Sequence, residues 1–388
     1  MAVPVSSDTP VATNRTEELP RPLPDAQAPE VAAGAMHGST SVIIPVFGDG
    51  HHLTNCVDSL LSSRGRALEI VLMDDGSPQP IREFSEREPI RCYRSERNLG
   101  PSHALNRGLE KTTGHWVVLL NSDVRVQPDS LEKLVRALEE HGDYDFAVSK
   151  LLKPTDPPAV DCRGDGILIG GGGYRIGHGE DDAAESPAVR PVLGAAGTAS
   201  VYRRSVLEEL GGLDEDFFGF LEDVDVSLRA QLKGYRCLYV PTSVVFHEGG
   251  VSFLALGDRE VFRLITRNQI WVVVKNYPGA VLLRALPRLL VFQALWLALM
   301  VWRGFFRSYL RGLYEAVRGL PQMLRKRRGI QQSRRISARR FWELLQLSEG
   351  QIAAWQQRVP RRQRSLLLRI YFGLFGSPPQ PARAEPAQ

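Results

Sequence analysis

An α/β fold, an open sheet flanked by helices and continued by a basic helical extension, is predicted for this chain by three observations. Short apolar, β-branched runs alternate with stretches of helical periodicity between residues 41 and 249. Carboxylates and amides stand directly behind two of those runs, and beyond residue 280 the composition turns apolar and basic. Alternation at this spacing implies right-handed crossovers, and ligands of such sheets bind beyond the carboxyl ends of the strands.

The elements follow in order. Residues 1–38 are rich in Pro, Ala, Ser and Glu without apolar period and read as a disordered leader. SVIIPVF (41–47) is a buried strand, HLTNCVDSLLSS (52–63) a helix, and LEIVLMDD (68–75) a second buried strand. RCYRSE (91–96) is a third, followed by a helix over 102–111. HWVVLLNSD (115–123) is another strand, and PDSLEKLVRALEEHG (128–142) a helix with Pro128 in its first turn. Residues 154–190 are loop-rich. Their GGGG run (170–173) lacks the GxxxxGK[ST] pattern of a phosphate cradle and reads as a flexible loop or hairpin. A helix over 204–210 closes on Gly211 and Gly212; FLEDVDVSLRAQLKGY (220–235) is a helix with an acidic start, and YRCLYVPTSVVFHEGG (235–250) gives strands and a loop.

Composition narrows the function classes. The four cysteines, Cys56, Cys92, Cys162 and Cys237, are scattered without a CxxC pair, which fits a reducing compartment better than a disulfide scaffold. The first residues have no basic stretch followed by an apolar core and do not read as a secretory signal. From Ala280 onward there are 20 Lys and Arg against 4 Asp and Glu, so this part is +16 within a chain of +4, and the part before it is −12. A basic tail on an acidic body points to an anionic partner, phospholipid or nucleic acid.

Four sites carry candidate chemistry. Asp74 and Asp75, in MDDGS, end a buried strand where a carboxylate can accept from a pyrimidine imide or ribose hydroxyls; Asp-Gly-Ser is equally a turn. Asp123 ends the LLNSD strand, and a hard cation on a diphosphate needs only one or two such carboxylates. The other role for Asp123 is helix capping, although the helix here starts later, at Pro128. Glu222, Asp223 and Asp225 crowd a helix start, where the dipole favours acids as caps and crowding raises the pKa as a general base requires. His247 follows a strand as a structural residue or a ligand.

In combination, SVIIPVF, MDDGS, RNLGPSHALNRGL, LLNSDV, FLEDVDVSLR and VVFH resemble, in order and spacing, the family 2 inverting glycosyltransferases of GT-A fold. GT-A is a Rossmann-like mixed sheet flanked by helices. The resemblance runs from Ser41 to Pro278 and is nearest to the rhamnosyltransferase-like branch that builds bacterial surface polysaccharides. It implies a nucleoside-diphosphate sugar donor held by Pro45, Val46, Asp74, Asp75, Asn98, Gly100, Asn106, Asn121, Ser122 and Asp123. It also implies a divalent metal, Mn²⁺ or Mg²⁺, at Asp123 and His247. Gly197, Thr198 and Glu222 are implied on the acceptor and sugar side, and Asp223 as catalytic base. The chain departs from the family at Asn121, where Asp is usual, and at Gly48, where Asn is usual. The implied reaction is a single displacement that moves a sugar, for which the branch suggests rhamnose, to a lipid-linked saccharide or polysaccharide. No QxxRW signature is present, which suggests one sugar per encounter rather than processive synthesis.

The sequence thus divides into the leader (1–38), a glycosyltransferase domain (39–278), an amphipathic, basic, membrane-associating region (279–345) and a partly disordered basic tail (346–388). LLVFQALWLALMVW (289–302) is short for a bilayer core of about 30 Å, and flanking arginines oppose extending it. An interfacial helix, with Trp296 and Trp302 at headgroup depth and RKRR (325–328) on anionic lipid, accounts for both features; a core helix packed on the catalytic domain is the alternative. The expected location is the cytoplasmic, inner face of the cell membrane. A nucleic acid partner is not expected, because the basic segment has no recognisable RNA or DNA module and adjoins an apolar run. The competing function is a nucleotide-binding or nucleotidyltransferase-like module without sugar transfer.

Overall fold

The buried β-branched runs do become neighbouring strands. The computed structural model describes residues 39–378 apart from 49, 65–68, 82–83, 85–86, 183–185 and 250–255; the expected leader lies outside the described residues. In order, the elements are β1 (Thr40–Val46), α1 (Gly50–Leu61), β2 (Glu69–Asp74), β3 (Ile90–Arg94), α2 (Pro101–Glu110), β4 (Trp116–Leu120), β5 (Val124–Val126) and α3 (Ser130–Glu140). Then come β6 (Phe146–Lys153), β7 (Ala159–Cys162), β8 (Asp165–Ile167), β9 (Gly173–Arg175), β10 (Arg190–Val192), β11 (Ala199–Arg203), α4 (Arg204–Leu210), α5 (Glu222–Leu232) and β12 (Cys237–His247). Five helices close the described chain: α6 (Gly257–Asn276), α7 (Gly279–Trp302), α8 (Phe306–Gln332), α9 (Ala338–Arg358) and α10 (Leu366–Phe375).

The main sheet is mixed, in the order β10-β12-β6-β11-β4-β1-β2-β3, with β5 on β12 and β7 on β6. Strands β4, β1, β2 and β3 are parallel, and β11 enters antiparallel between β4 and β6. The continuous apolar strands are buried on both faces, and the apolar stripes of α1, α2 and α3 pack onto them as one core. The loop-rich stretch contains three short strands, β7, β8 and β9. Their runs of three or four residues, diluted by Asp and Gly, carry too little alternation to be read from sequence.

The glycine run is the turn of the β8–β9 hairpin, and it is buried rather than flexible. A Cβ at Gly170 would sit 2.7 Å from the Phe292 side chain, and one at Gly172 would sit 2.4 Å from the same ring. The helices from α5 to α10 build two further cores around this hairpin. Two corrections follow. The apolar run 289–302 is the second half of a longer helix, α7, that starts at Gly279 and includes Arg284, Pro287 and Arg288. Trp296 is 3% exposed, donating its indole N–H to Thr266 Oγ1 at 2.9 Å, so it does not sit at headgroup depth; Trp302 is 80% exposed. Helix α9 crosses the expected boundary at 345, and α10 follows it within the stretch expected to be a tail; residues 379–388 lie outside the described residues.

Candidate active site

At the carboxyl rim of β1 and β2, Val46 pairs in register with Asp74, and the Val46 carbonyl accepts the Asp75 N–H at 2.8 Å. Asp74 accepts from the Ser77 N–H at 2.8 Å and pairs with Arg94. Asp75 accepts from the backbone N–H of Leu99 (3.0 Å) and Gly100 (2.7 Å), and Asn98 Oδ1 also accepts from Gly100 (3.0 Å). Burial raises the Asp75 pKa against those two backbone donors. Pro45, Val46, Asp74, Asp75, Asn98 and Gly100 are thereby brought to one rim. Gly100 cannot carry a side chain: its φ is +93°, and a Cβ would lie 2.5 Å from the Phe218 carbonyl oxygen. Gly48 has φ +85°, in the left-handed region that favours glycine. Asn106 uses its amide otherwise, donating to Leu213 O at 2.9 Å and accepting from Leu213 N–H at 2.8 Å, which ties α2 to the loop after α4.

The second group forms where β4 hands over to β5. Antiparallel pairing sets Val124 opposite His247, so the end of β12 meets Asp123. Asp123 and His247 are both buried, with His247 Nε2 3.4 Å from Asp123 Oδ1. On its other side His247 Nδ1 lies 2.8 Å from Asp161 Oδ2. Burial alone would lower the pKa of His247, but the two flanking carboxylates outweigh it and raise it to about 9. Asp161 is held well below the usual carboxylate range: burial works against this, but His178, His247 and Arg175 prevail. Among the described residues no cluster of three His, Cys, Asp or Glu forms a closed metal cage. A pair nevertheless fits a cation that shares a diphosphate: His247 Nε2 is buried and faces the Asp123 carboxylate, and would give up its proton to bind a metal, while its other nitrogen is oriented by a second carboxylate, as metal-bound histidines usually are. A cavity of about 290 Å³ opens beside Asp123, lined also by His52, Asn55, Ser59, Arg125 and Glu248. A larger one, about 540 Å³, is lined by Asn106, Lys275 and Lys326 and includes neither Asp123 nor Asp223.

Asp223 stands at the start of α5. Its Oδ1 accepts the Val224 N–H at 2.8 Å, and its Oδ2 is 3.4 Å from the Gly197 nitrogen. One residue on, the Thr198 carbonyl accepts the Asn121 N–H at 3.0 Å. The segment 197–198 therefore links the Asn121–Asp123 turn to Asp223, and Ser122 is buried in that turn. Glu222, half-buried with Oε2 unpartnered, is pushed up to about 8 by burial and by Asp223. Burial and Asp223 likewise raise Asp165 in the hairpin.

Asp225 is not a cap. It is fully buried, with Oδ2 2.7 Å from Lys275 Nζ and 2.8 Å from Arg229 Nε, and Oδ1 2.8 Å from Asn276 Nδ2. Burial pushes its pKa up, but Lys275 and Arg229 outweigh that and hold it below the usual range.

The backbone before Asp223 is strained. Phe218, Phe220 and Leu221 have φ of 64°, 67° and 66°, a region costly for side chains of this size. Asn268 of α6 clamps it, donating to the carbonyls of Phe217, Gly219 and Phe220. Sequence reasoning missed both Asn268 and Asp161. Each lies in a stretch without a motif and reveals itself only through partners about 50 and 86 residues away.

With this geometry in hand, residues 41–211 match the protein-family model for glycosyl transferase family 2. The chain carries a family 2 glycosyltransferase domain. The transferase is 27% identical over 229 residues to an N-acetylglucosaminyl-diphospho-decaprenol L-rhamnosyltransferase of Mycobacterium tuberculosis, covering 53% of this chain and 75% of that protein. It is 29% identical over 242 residues to a pre-mycofactocin glycosyltransferase of the same organism, covering 60% of this chain but only 47% of the relative. These likenesses support the rhamnosyltransferase-like branch. A crystal structure of GalNAc-T7 with UDP, GalNAc and Mn²⁺ shares the fold, with TM-score 0.52 and 17% identity over 74% of this chain and 57% of that one. The mixed sheet flanked by helices is thus the GT-A fold.

Proposed function

We propose that this glycosyltransferase moves one sugar from a nucleoside-diphosphate donor to a saccharide acceptor carried on lipid, inverting the anomeric centre in a single displacement. The observation that carries this reading is the 197–198 link, which joins the Asn121–Asp123 turn to Asp223 through two backbone contacts. A leaving-group site and a base held by one rigid segment suit an in-line displacement, which needs no protein nucleophile.

Asp223 accepts the proton of the attacking hydroxyl. Burial and the neighbouring Asp223 raise the pKa of Glu222, which disfavours its charged form beside the base. Asp74, Asp75, Asn98 and Gly100 form the base and ribose side of the donor pocket, with Pro45 and Val46 as its floor, and Asn106 supports it from α2. Gly197 and Thr198 border the acceptor. Asp123 and His247 would hold Mn²⁺ or Mg²⁺, which when bound neutralises charge growing on the departing diphosphate. The lipid-linked acceptor named for the rhamnosyltransferase relative, together with the basic C-terminal region, supports a peripheral place on the inner face of the membrane.

The test is a panel of nucleotide sugars with Mn²⁺ and a short lipid-diphosphate saccharide, the product's anomeric configuration being read by NMR. Inversion with one donor is expected. Retention of configuration, or nucleotide binding without transfer by any donor, would overturn the reading.

A further inference from the structure

We propose that α7 and α10 together form one lipid-facing surface on which the chain rests against an anionic bilayer without crossing it. This deepens the peripheral location given above and adds to it a second helix and a route to the base.

Helix α7, with 24 residues, is about 36 Å long and would reach across a core of about 30 Å. One side of it is already engaged: Val281, Ala285, Phe292, Trp296 and Met300 are buried in the two C-terminal cores. Pulling α7 into a bilayer would empty both. Its other side is bare, with Leu283 77% and Leu290 63% exposed. Helix α10 packs against α7 and repeats the arrangement. Leu367, Leu368 and Tyr371 point inward, while Leu366 (64%), Ile370 and Leu374 (63%), spaced one turn apart, are exposed.

Charge selects the occupant. Neither helix carries an acidic residue. The exposed charges on and beside them are arginines: Arg284, Arg307, Arg361, Arg362 and Arg369. An apolar stripe whose own exposed charges are guanidinium groups complements anionic headgroups over an acyl layer, whereas docking it on a second copy would set arginine against arginine.

The surface backs directly onto the site. The Tyr371 hydroxyl of α10 accepts the Gly170 N–H at 3.1 Å, and Phe292 of α7 closes over Gly170 and Gly172. Gly173, at the far end of that turn, abuts Leu221, two residues before Asp223. An acceptor anchored in the bilayer would be presented beside the hairpin that borders the base.

The experiment is flotation of the full chain with vesicles of phosphatidylcholine alone or mixed with phosphatidylglycerol, using two variant sets at exposed positions. One set is Leu283→Ser with Leu290→Ser; the other is Leu366→Ser, Ile370→Ser and Leu374→Ser. Circular dichroism and thermal unfolding check that each set folds. Expected are binding to the mixed vesicles only, a loss of about tenfold or more from each set, and release by carbonate. If the α10 set binds as the unmodified chain does while the α7 set fails, the two-helix surface is wrong although the peripheral location stands. If neither set matters, both readings fail. Carbonate-resistant protein would mean that α7 crosses the membrane, and light scattering that shows a dimer dissolved by either set would mean that a second copy covers the face; each overturns the proposal.

Discussion

Asp223 and Glu222 adjoin in sequence, yet their surroundings give them different work. Asp223→Asn keeps the shape and one of the two backbone contacts, since its amide nitrogen cannot accept an N–H, while removing basicity. Turnover should fall by about 10²–10⁴-fold with donor Kd nearly unchanged; more than about a tenth of activity remaining would exclude a general base. For Glu222 the sign of the pH effect follows from its raised pKa. Between the ordinary glutamate range and about 8 the folded state holds a proton that the unfolded state has lost, so this group's contribution to stability falls as pH rises through that window. Glu222→Gln should flatten that slope in denaturant midpoints measured from pH 5 to 8. A third expectation concerns Asp161, which acts through His247 by fixing which ring nitrogen faces Asp123. Asp161→Asn should weaken Mn²⁺ binding, read by paramagnetic resonance of the free ion, by about 10–100-fold. His178→Gln, which disturbs the same buried corner, should leave Mn²⁺ affinity near normal; equal losses would mean that Asp161 matters only for packing.

Among elements, α5 is legible as a helix, but the role of Asp225 within it is not. Three acids at a helix start look like capping; Arg229, one turn on, is a partner that helical spacing offers Asp225, but Lys275 lies 50 residues downstream. The buried network joins α5 to α6 through Lys275, Asp214 and Asn276. Asp225→Asn should therefore cost about 3 kcal/mol or more, the consequence of leaving buried cations under-compensated, rather than the roughly 1 kcal/mol of a lost cap. Urea unfolding beside Asp223→Asn, which should be near the unmodified chain in stability, provides the comparison. The strands were easier. The run from Trp116 to Leu120 is apolar at every position because it lies buried between β1 and β11, and burial on both faces leaves that mark on a sequence. Helix α3 begins at Ser130 rather than Pro128, a shift within the usual fraying of helix starts.

On the scale of the molecule, what could be read was whatever the chain writes locally: the sheet, its rim carboxylates and the basic C-terminal region. What could not be read was the closure of distant segments on one another. The pairing of His247 with Asp161, the Asn268 clamp and the glycines under Phe292 each depend on a partner that periodicity does not reveal. The 346–378 stretch, basic enough to resemble a tail, pins the hairpin through Ser348, Glu349 and Tyr371 instead.

The Asn268 clamp has a consequence in time. A chain leaves the ribosome from its amino end, and domains fold as they emerge. The residues proposed for the donor rim have all emerged by Asp123, but the three left-handed residues ahead of Asp223 lack the Asn268 clamp until α6 is also out. A nascent chain stalled before Asn268 should therefore capture nucleotide yet fail to turn it over, and release of stalled chains at successive lengths should show activity arriving in a single step. On that order of emergence the proposed base matures after the proposed donor side, and binding precedes turnover.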